Sequence, residues 1–158
     1  MEKGFFLPTK YFLTAGSSYG DTELVAFDLA LINAGIANLN LIKLSSILAP
    51  MCQRIPKTKI ELGAFIGVAY AKNVGTHTGE TISSAIAIGH PSDKSKASLI
   101  MEYSSSMNAV ESDRVVREMV KQGMANRGLE LGSIESIFTE CNINQISYAV
   151  TFAAVVEL

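Results

Sequence analysis

The sequence predicts a single α+β domain in which helices lie outside packed β-sheets. The chain of 158 residues has the length of one domain, so we assign residues 1–158 to a single unit. Hydrophobic residues make up 48% and charged residues 18%, an ordinary globular balance with much surface to bury. The order strand, helix, strand, strand appears in the first half, and the second half repeats it with an extra strand in front.

The chain begins with a predicted strand and a predicted helix. Residues 11–15 are aromatic and apolar, which predicts a strand that gives way to a loop over residues 16–20. A helix then runs to about residue 33, and Gly35 suits the left-handed position that closes it. Two residues can supply its N-terminal cap: Asp21 or Thr22.

A carboxylate lies on the predicted apolar face of this helix. Asp28 follows Leu24 by four positions and precedes Leu31 by three. An unpaired buried carboxylate costs several kcal/mol or takes up a proton, so we expect Asp28 to pair with a cation. A structural salt bridge and a cationic ligand explain it equally well. The face consists of four large side chains: Leu24, Phe27, Leu31 and Ile32.

The second predicted strand, residues 38–44, ends at two serines. Ser45 and Ser46 lie between apolar Leu44 and Ile47 and follow a strand that carries two asparagines. Pairs of serines occur elsewhere in the chain, so the pair alone has no functional meaning. From spacing alone, a strand that ends in a turn is the simpler interpretation.

The rest of the chain predicts five further strands and one further helix. Asn108, with Glu111 three residues later, resembles a capping box for a helix that ends near Arg127, before Gly128. Its inner face consists of Val116, Met119, Val120 and Met124. The predicted strands cover residues 62–71, 82–88, 98–103, 134–139 and 146–156, and the last alternates through Ile146, Tyr148, Val150, Phe152 and Ala154.

Glu102 is an unusual residue in the predicted strand over residues 98–103. It shares a face with Ser98 and Ile100, because side chains alternate along a strand. A carboxyl group in so apolar a segment should have a raised pKa, which suits a proton donor. An edge strand with one solvated face explains it equally well.

Composition and motifs argue against several classes of partner. The formal net charge of -2 and scattered basic residues give little basis for binding nucleic acid. No apolar stretch approaches the roughly 20 residues that cross a bilayer, and residues 1–7 do not resemble a signal peptide, so we expect a cytoplasmic protein. Cys52 and Cys141 form no disulfide or metal motif, and His77 with Glu80 lacks a second histidine at metal-ligand spacing. We expect no metal.

Ordered motifs over most of the chain, from about residue 15 to residue 154, resemble those of the pyruvoyl-dependent arginine decarboxylases. Matches of this length are far more specific than any single motif. They are AGSS at 15–18, AFD at 26–28, NAGIANLNLIKLSSILAP at 33–50, GETIS at 79–83, LIMEY at 99–103, RGLEL at 127–131 and IES at 134–136.

The resemblance implies a fold, an assembly and a cofactor. Members have a four-layer α/β/β/α sandwich and form trimers with active sites between neighbouring subunits. They cut themselves at a Ser-Ser bond, here Ser45–Ser46, into a β chain of residues 1–45 and an α chain of residues 46–158. The cofactor is then a covalent pyruvoyl group derived from Ser46, with neither metal nor pyridoxal phosphate.

The resemblance also assigns roles to residues. L-arginine would form a Schiff base with the pyruvoyl ketone and lose carbon dioxide to give agmatine, while the cofactor serves as the electron sink. Asn40 matches the asparagine implicated in self-processing, and Glu102 matches the residue that protonates the carbanion. Asp28 matches the residue that pairs with the guanidinium, and Leu31 would line the same pocket.

Two departures from the family pattern leave alternatives open. The chain has Gly35-Ile36-Ala37 where the family often has Gly-Ile-Gly, and Ala49-Pro50 where it often has two prolines. The extra methyl of Ala37 can restrict a backbone that approaches substrate. One alternative is a pyruvoyl-dependent decarboxylase of another amino acid, such as histidine or lysine. The other is a non-catalytic, uncleaved oligomeric homologue.

Overall fold

A computed structural model describes residue 4, residues 6–144 and residues 147–158 of the chain. These residues form one α+β domain with two helices and two sheets, which confirms the predicted class. The helices are α1 (Glu23–Ala34) and α2 (Ala109–Asn126). The strands are β1 (Lys10–Gly20), β2 (Asn40–Lys43), β3 (Ile47–Leu48), β4 (Gln53–Arg54), β5 (Phe65–Gly75), β6 (Thr81–Pro91), β7 (Ser98–Ser105), β8 (Leu131–Asn142) and β9 (Tyr148–Glu157).

The strands form one five-stranded and one four-stranded sheet. The first sheet has the order β2-β5-β9-β1-β4, and the second has the order β3-β7-β6-β8. In the first sheet β9 lies antiparallel between β1 and β5, while β2 runs parallel to β5. The chain crosses from β2 in one sheet to β3 in the other within a few residues. Ser45 and Ser46 lie in that crossing.

Among the described residues, three apolar cores hold the helices and sheets together, and a fourth, smaller one contains Ile82, Cys141, Ile143 and Ala149. One contains Ala30 of α1 with Phe12 and Phe152 of the first sheet. The second joins residues of both sheets, among them Val155 and Ile100. The third joins α2 to the second sheet through side chains that include Val116, Val120, Met124 and Leu99.

Helix α1 buries its small side chains, so its predicted inner face is right only in part: Phe27 and Leu31 pack against the core, but Leu24 and Ile32 do not. Ala26, Ala30 and Ala34 are fully buried, whereas Leu24 is 75% exposed. The reason is a close approach to β1, because a Cβ atom at Gly16 would lie 2.3 Å from the carbonyl oxygen of Ala30. Only alanines fit at that separation. Leu24 and Ile32 turn outward with Asp28, and Ile32 is 54% exposed.

The helix caps agree with the predictions. The side chain of Thr22 accepts a hydrogen bond from the N–H of Val25, and Gly35 closes α1 with φ 80°. The side chain of Asn108 caps α2 in the same way through the N–H of Glu111, at 2.9 Å. Cap positions follow from local hydrogen bonding, which the sequence displays directly.

Several strand limits differ from the predictions. No loop covers residues 16–20, because β1 continues to Gly20 and pairs with β9 as far as Tyr148. The short strands β3 and β4 lie in a stretch for which no strand is predicted, and β8 extends past its predicted limits at both ends. Ile146 lies outside the described residues. Among those residues, no helix is both long and apolar enough to cross a membrane.

Candidate active site

The Ser45–Ser46 peptide bond lies in a tight turn between the two sheets. The N–H of Leu44 still bonds to Val68 of β5, so the first sheet holds the chain up to that point. The carbonyl oxygen of Ser45 then accepts a hydrogen bond from the N–H of Ile47, at 2.9 Å. This bond spans only two residues, as in a γ-turn centred on Ser46. A donor therefore already points at the carbonyl of the bond between the two serines.

The backbone on the other side of this bond is fixed by β7. The carbonyl oxygen of Ser46 accepts a hydrogen bond from the N–H of Ile100, at 2.9 Å. Ser46 is partly buried and Ser45 is exposed. The turn thus leaves Ser45 at the surface while anchoring Ser46 on the second sheet.

Glu102 lies two residues beyond Ile100 on the same face of β7. The rise of a strand makes the separation of their Cα atoms about 7 Å. The side chain of Glu102 is 23% exposed, and its Oε2 lies 3.8 Å from Nζ of Lys43. Burial raises the pKa of Glu102, and the nearby Lys43 partly opposes the increase. The predicted direction of this pKa shift is confirmed.

A cavity of about 330 Å³ opens beside Glu102. Lys43 crosses it and places Nζ 4.5 Å from the centre of the Tyr70 ring, in a cation–π contact. The residues that line the cavity are Lys43, Tyr70, Ala71, Lys72, Glu102, Tyr103 and Ser104. Lys43 precedes Ser46 by three residues, so the cavity, the carboxyl group and the Ser-Ser bond occupy one edge of the two sheets.

Asn40 lies at the opposite end of β2 from the Ser-Ser bond. Its side-chain amide donates to the carbonyl oxygen of Gly63, at 2.7 Å. Because the backbone is extended up to Leu44, the Cα atoms of Asn40 and Leu44 are about 13 Å apart. Within one chain, the structure does not bring this amide to the carbonyl of Ser45.

Asp28 and Leu31 lie on α1, outside the first sheet. Asp28 is exposed, so the expectation that its carboxylate is buried is wrong, and it has no ion-pair partner within the described part of the chain. Leu31 is partly buried against the core under α1. Helix α1 contacts residues of the cavity wall through Phe27. Its ring centre lies 5.0 Å from Nζ of Lys72 and 6.4 Å from the centre of the Tyr70 ring.

Two further groups at this edge are not among the site residues predicted from the sequence. One is the N–H of Ile47, which no side-chain pattern reveals. The other is Lys43, whose position two residues before the serine pair was a usable signal, since a strand that carries a lysine towards a buried carboxyl group provides its counterion. Together they add a backbone donor and a cation to the serine pair and Glu102.

Comparison with known proteins gives one consistent result. Residues 10–157 match the family described as "Pyruvoyl-dependent arginine decarboxylase (PvlArgDC)". A protein of that name from Methanocaldococcus jannaschii is 46% identical over 150 residues, which cover 95% of this chain and 91% of the relative. One from Methanococcus aeolicus is 41% identical over 94% of this chain and 88% of the relative. One from Thermococcus kodakarensis is 35% identical over 86% of this chain and 87% of the relative.

Proposed function

This chain belongs to the pyruvoyl-dependent arginine decarboxylase family, and we propose that it converts L-arginine to agmatine and carbon dioxide after cutting itself between Ser45 and Ser46. The observation that carries the proposal is the turn at this bond, in which the N–H of Ile47 donates to the Ser45 carbonyl. The products of cleavage would be a β chain of residues 1–45 and an α chain of residues 46–158.

The turn supports the first step of self-cleavage. Ser46 Oγ attacks the carbonyl carbon of Ser45, the peptide C–N bond breaks, and the nitrogen of Ser46 takes up the proton, which leaves an ester. Negative charge develops on the Ser45 oxygen during the attack, and a donor already in place there stabilises it. Loss of the α-proton of Ser46 then expels the Ser45 carboxylate, and hydrolysis releases ammonia and leaves a ketone at the new N-terminus.

The surroundings of Ser46 fit a pyruvoyl group at this position. The Ser46 carbonyl would become the amide carbonyl next to the ketone, and it is already held by the N–H of Ile100. The cavity beside Glu102 is lined in part by Lys43, three residues before Ser46. Once formed, the group would supply the electron sink for decarboxylation.

Glu102 is the proposed proton donor of the reaction. Burial raises its pKa, so more of the carboxyl group keeps its proton as the pH approaches neutrality. The ammonium group of Lys43, 3.8 Å away, limits this rise of the pKa. A protonated acid at this place delivers its proton to the substrate carbon after carbon dioxide has left.

Assembly of three cleaved protomers would complete the site. Asp28 is exposed on α1, where its carboxylate is available to the guanidinium of a substrate bound between subunits. Leu31, one turn further along, would line that pocket. Asn40 would contribute to self-processing across the same boundary, between assembled protomers that are still uncleaved, because within its own chain it lies too far from Ser45. Large exposed apolar side chains such as Phe65, at 75%, supply surface for such contacts.

Membership of this family also favours a stack of four layers, in the order α/β/β/α. Its support is the succession of cores, with one under α1, one shared by the sheets and one under α2. A cytoplasmic location agrees with two free cysteines and with the lack of a membrane-spanning helix among the described residues.

Intact mass and product analysis test the proposal directly. Purified protein should contain two chains split after Ser45, with the larger lacking a free amino terminus, and should release agmatine from arginine. Lysine and histidine serve as competing substrates. The Ser46→Ala variant should stay uncleaved and inactive. A folded wild-type protein that remains one chain after long incubation would refute self-cleavage, while cleaved protein that prefers lysine or histidine would refute the arginine assignment.

Asp28→Asn tests the proposed guanidinium contact. We expect a raised KM for arginine with little change in kcat, because this contact lies far from the bond that breaks and binds ground and transition states alike. Steady-state kinetics on fully processed protein provides the measurement. Asp21→Asn, which changes an exposed carboxylate at the start of the same helix, is the control. An unchanged KM for Asp28→Asn would remove the residue from the pocket.

A further inference from the structure

A second cluster of polar side chains lies along β7 from the candidate active site. Ser98 Oγ lies 3.0 Å from Nδ1 of His90, and Nε2 of the same ring lies 2.8 Å from Oε1 of Glu135. These residues come from β7, β6 and β8 in turn. Ser98 precedes Glu102 by four residues, which places their Cα atoms about 13 Å apart. The cluster is therefore a separate site.

The partners of Glu135 determine where the protons lie. A carboxylate only accepts hydrogen bonds, so Nε2 of His90 must carry a hydrogen. In the neutral ring Nδ1 is then the acceptor, and it receives the O–H of Ser98. Burial alone would raise the pKa of Glu135, but hydrogen bonds from His90, Tyr11 and Arg54 outweigh it and lower the pKa. An ionised carboxylate thus orients a base whose other nitrogen accepts a serine proton.

This hydroxyl, ring and carboxylate line a cavity of about 630 Å³. Ser98 itself is 7% exposed, so the cavity is its route to small molecules. Gln53 and Ser133 also line the cavity, and within the described ranges their side chains make no hydrogen bond, so both can donate to a bound oxygen. Lys94 and Lys96 add positive charge to the lining.

Cys52 also lines the cavity and carries a nucleophilic thiol. Burial, together with the nearby Glu157, raises the pKa of this thiol to about 11. The reactive form of a cysteine is its thiolate, so Cys52 is unreactive at neutral pH. Ser98 has the base that Cys52 lacks.

We propose that Ser98, His90 and Glu135 form a second reactive site that hydrolyses small esters. Ser98 Oγ attacks the ester carbonyl, and His90 Nδ1 takes the hydroxyl proton while Glu135 stabilises the charged ring. The C–O bond to the alcohol breaks as His90 returns the proton to the leaving oxygen. A water molecule then releases the acid from Ser98 by the same exchange. This site is independent of the proposed decarboxylation.

The test uses an activated ester and a covalent probe. Purified protein is incubated with p-nitrophenyl acetate and, separately, with a small dialkyl fluorophosphate, and the modified peptide is identified by mass spectrometry. We expect one phosphoryl group per chain on Ser98 and release of p-nitrophenolate above the buffer rate. Wild-type protein that carries no adduct on Ser98 would overturn the proposal without the need for any variant.

Variants distinguish a reactive array from a structural network. Ser98→Ala should lose labelling, and His90→Gln or Glu135→Gln should slow it by roughly 100-fold or more, the usual contribution of a general base. Ser95→Ala, an exposed serine in the β6–β7 hairpin, should label as wild type. Equal p-nitrophenolate release by folded Ser98→Ala and wild type would assign the reaction to surface groups and refute the proposal. Arginine decarboxylation by Ser98→Ala should be unchanged.

Discussion

The carboxyl group of Glu102 is subject to two opposing influences on its pKa. Burial favours the neutral acid, and the ammonium group of Lys43 favours the carboxylate. Its position on β7 was predictable because alternation along the strand puts it on the face of Ser98 and Ile100, and Ile100 is buried between the sheets. The cation was not predictable from that strand, because Lys43 comes from the other sheet.

Replacement of Glu102 by Gln tests its role as proton donor. The amide keeps the size of the side chain and removes the transferable proton, so kcat should fall by roughly 100-fold to 10,000-fold. Activity must be normalised to the fraction of chains that carry the pyruvoyl group, measured by intact mass. Fully processed Glu102→Gln protein that works at the wild-type rate would make Glu102 a buried structural acid.

Replacement of Lys43 by Met tests how the pKa of Glu102 is set. An acid that must be protonated loses activity as the pH rises through its pKa. Removing the cation takes away the influence that lowers this pKa, so the alkaline limb of the kcat profile should move to higher pH. Lys43→Arg keeps the charge and should restore the wild-type profile. An unmoved limb in processed Lys43→Met protein would show that Lys43 does not act on the proton donor.

At the scale of elements, the turn between β2 and β3 joins the two sheets at the Ser-Ser bond. Both neighbouring carbonyls have backbone partners, the N–H of Ile47 for Ser45 and the N–H of Ile100 for Ser46. The strand before the turn and the serines after it were visible in the sequence. The hydrogen bonds were not, because they depend on how β3 and β7 pair.

Ile47→Pro removes the donor to the Ser45 carbonyl. We expect self-cleavage to slow by roughly 100-fold to 1,000-fold, the usual effect of losing one oxyanion donor. The N–H of Ile47 bonds to Ser45 and not to β7, so its loss breaks no bond between strands. Ile47→Val keeps the donor and should cleave at the wild-type rate. Timed intact-mass measurements give both rates, and a folded proline variant that cleaves normally would leave the turn without a catalytic role.

For the whole molecule, local signals were predictive and close packing was not. The cap at Thr22 and the left-handed Gly35 depend on neighbouring residues only, and both predictions hold. The buried face of α1 depends on how closely the helix approaches Gly16 of β1, which no local pattern contains. For that reason Asp28 lies outside, although its spacing indicated an apolar face. The Ser98, His90 and Glu135 array was equally hidden, because three separate strands supply it.

Glu157 ends β9 with a buried carboxyl group. It is 2% exposed, and its Oε1 has no hydrogen-bond partner in the described ranges. Burial raises its pKa from 4.5 to about 7. The folded protein therefore retains a proton that the unfolded chain has lost between these two values. Because the native state binds more protons in this window, stability should fall as the pH rises from about 4.5 to about 7 and stay low above it.

Glu157→Gln should remove this pH dependence. The amide is neutral at every pH, so at pH 8 the variant should be more stable than its parent by roughly 1–3 kcal/mol, the order set by 1.36 kcal/mol per pKa unit. Thermal melting of the uncleaved Ser46→Ala protein, at one protein concentration and at pH 5, 6, 7 and 8, measures the difference on an intact chain. Glu61→Gln, at an exposed site, should leave the parent's curve unchanged. If both glutamine variants follow the parent at every pH, the carboxyl group of Glu157 is compensated in the folded protein and its pKa is not raised.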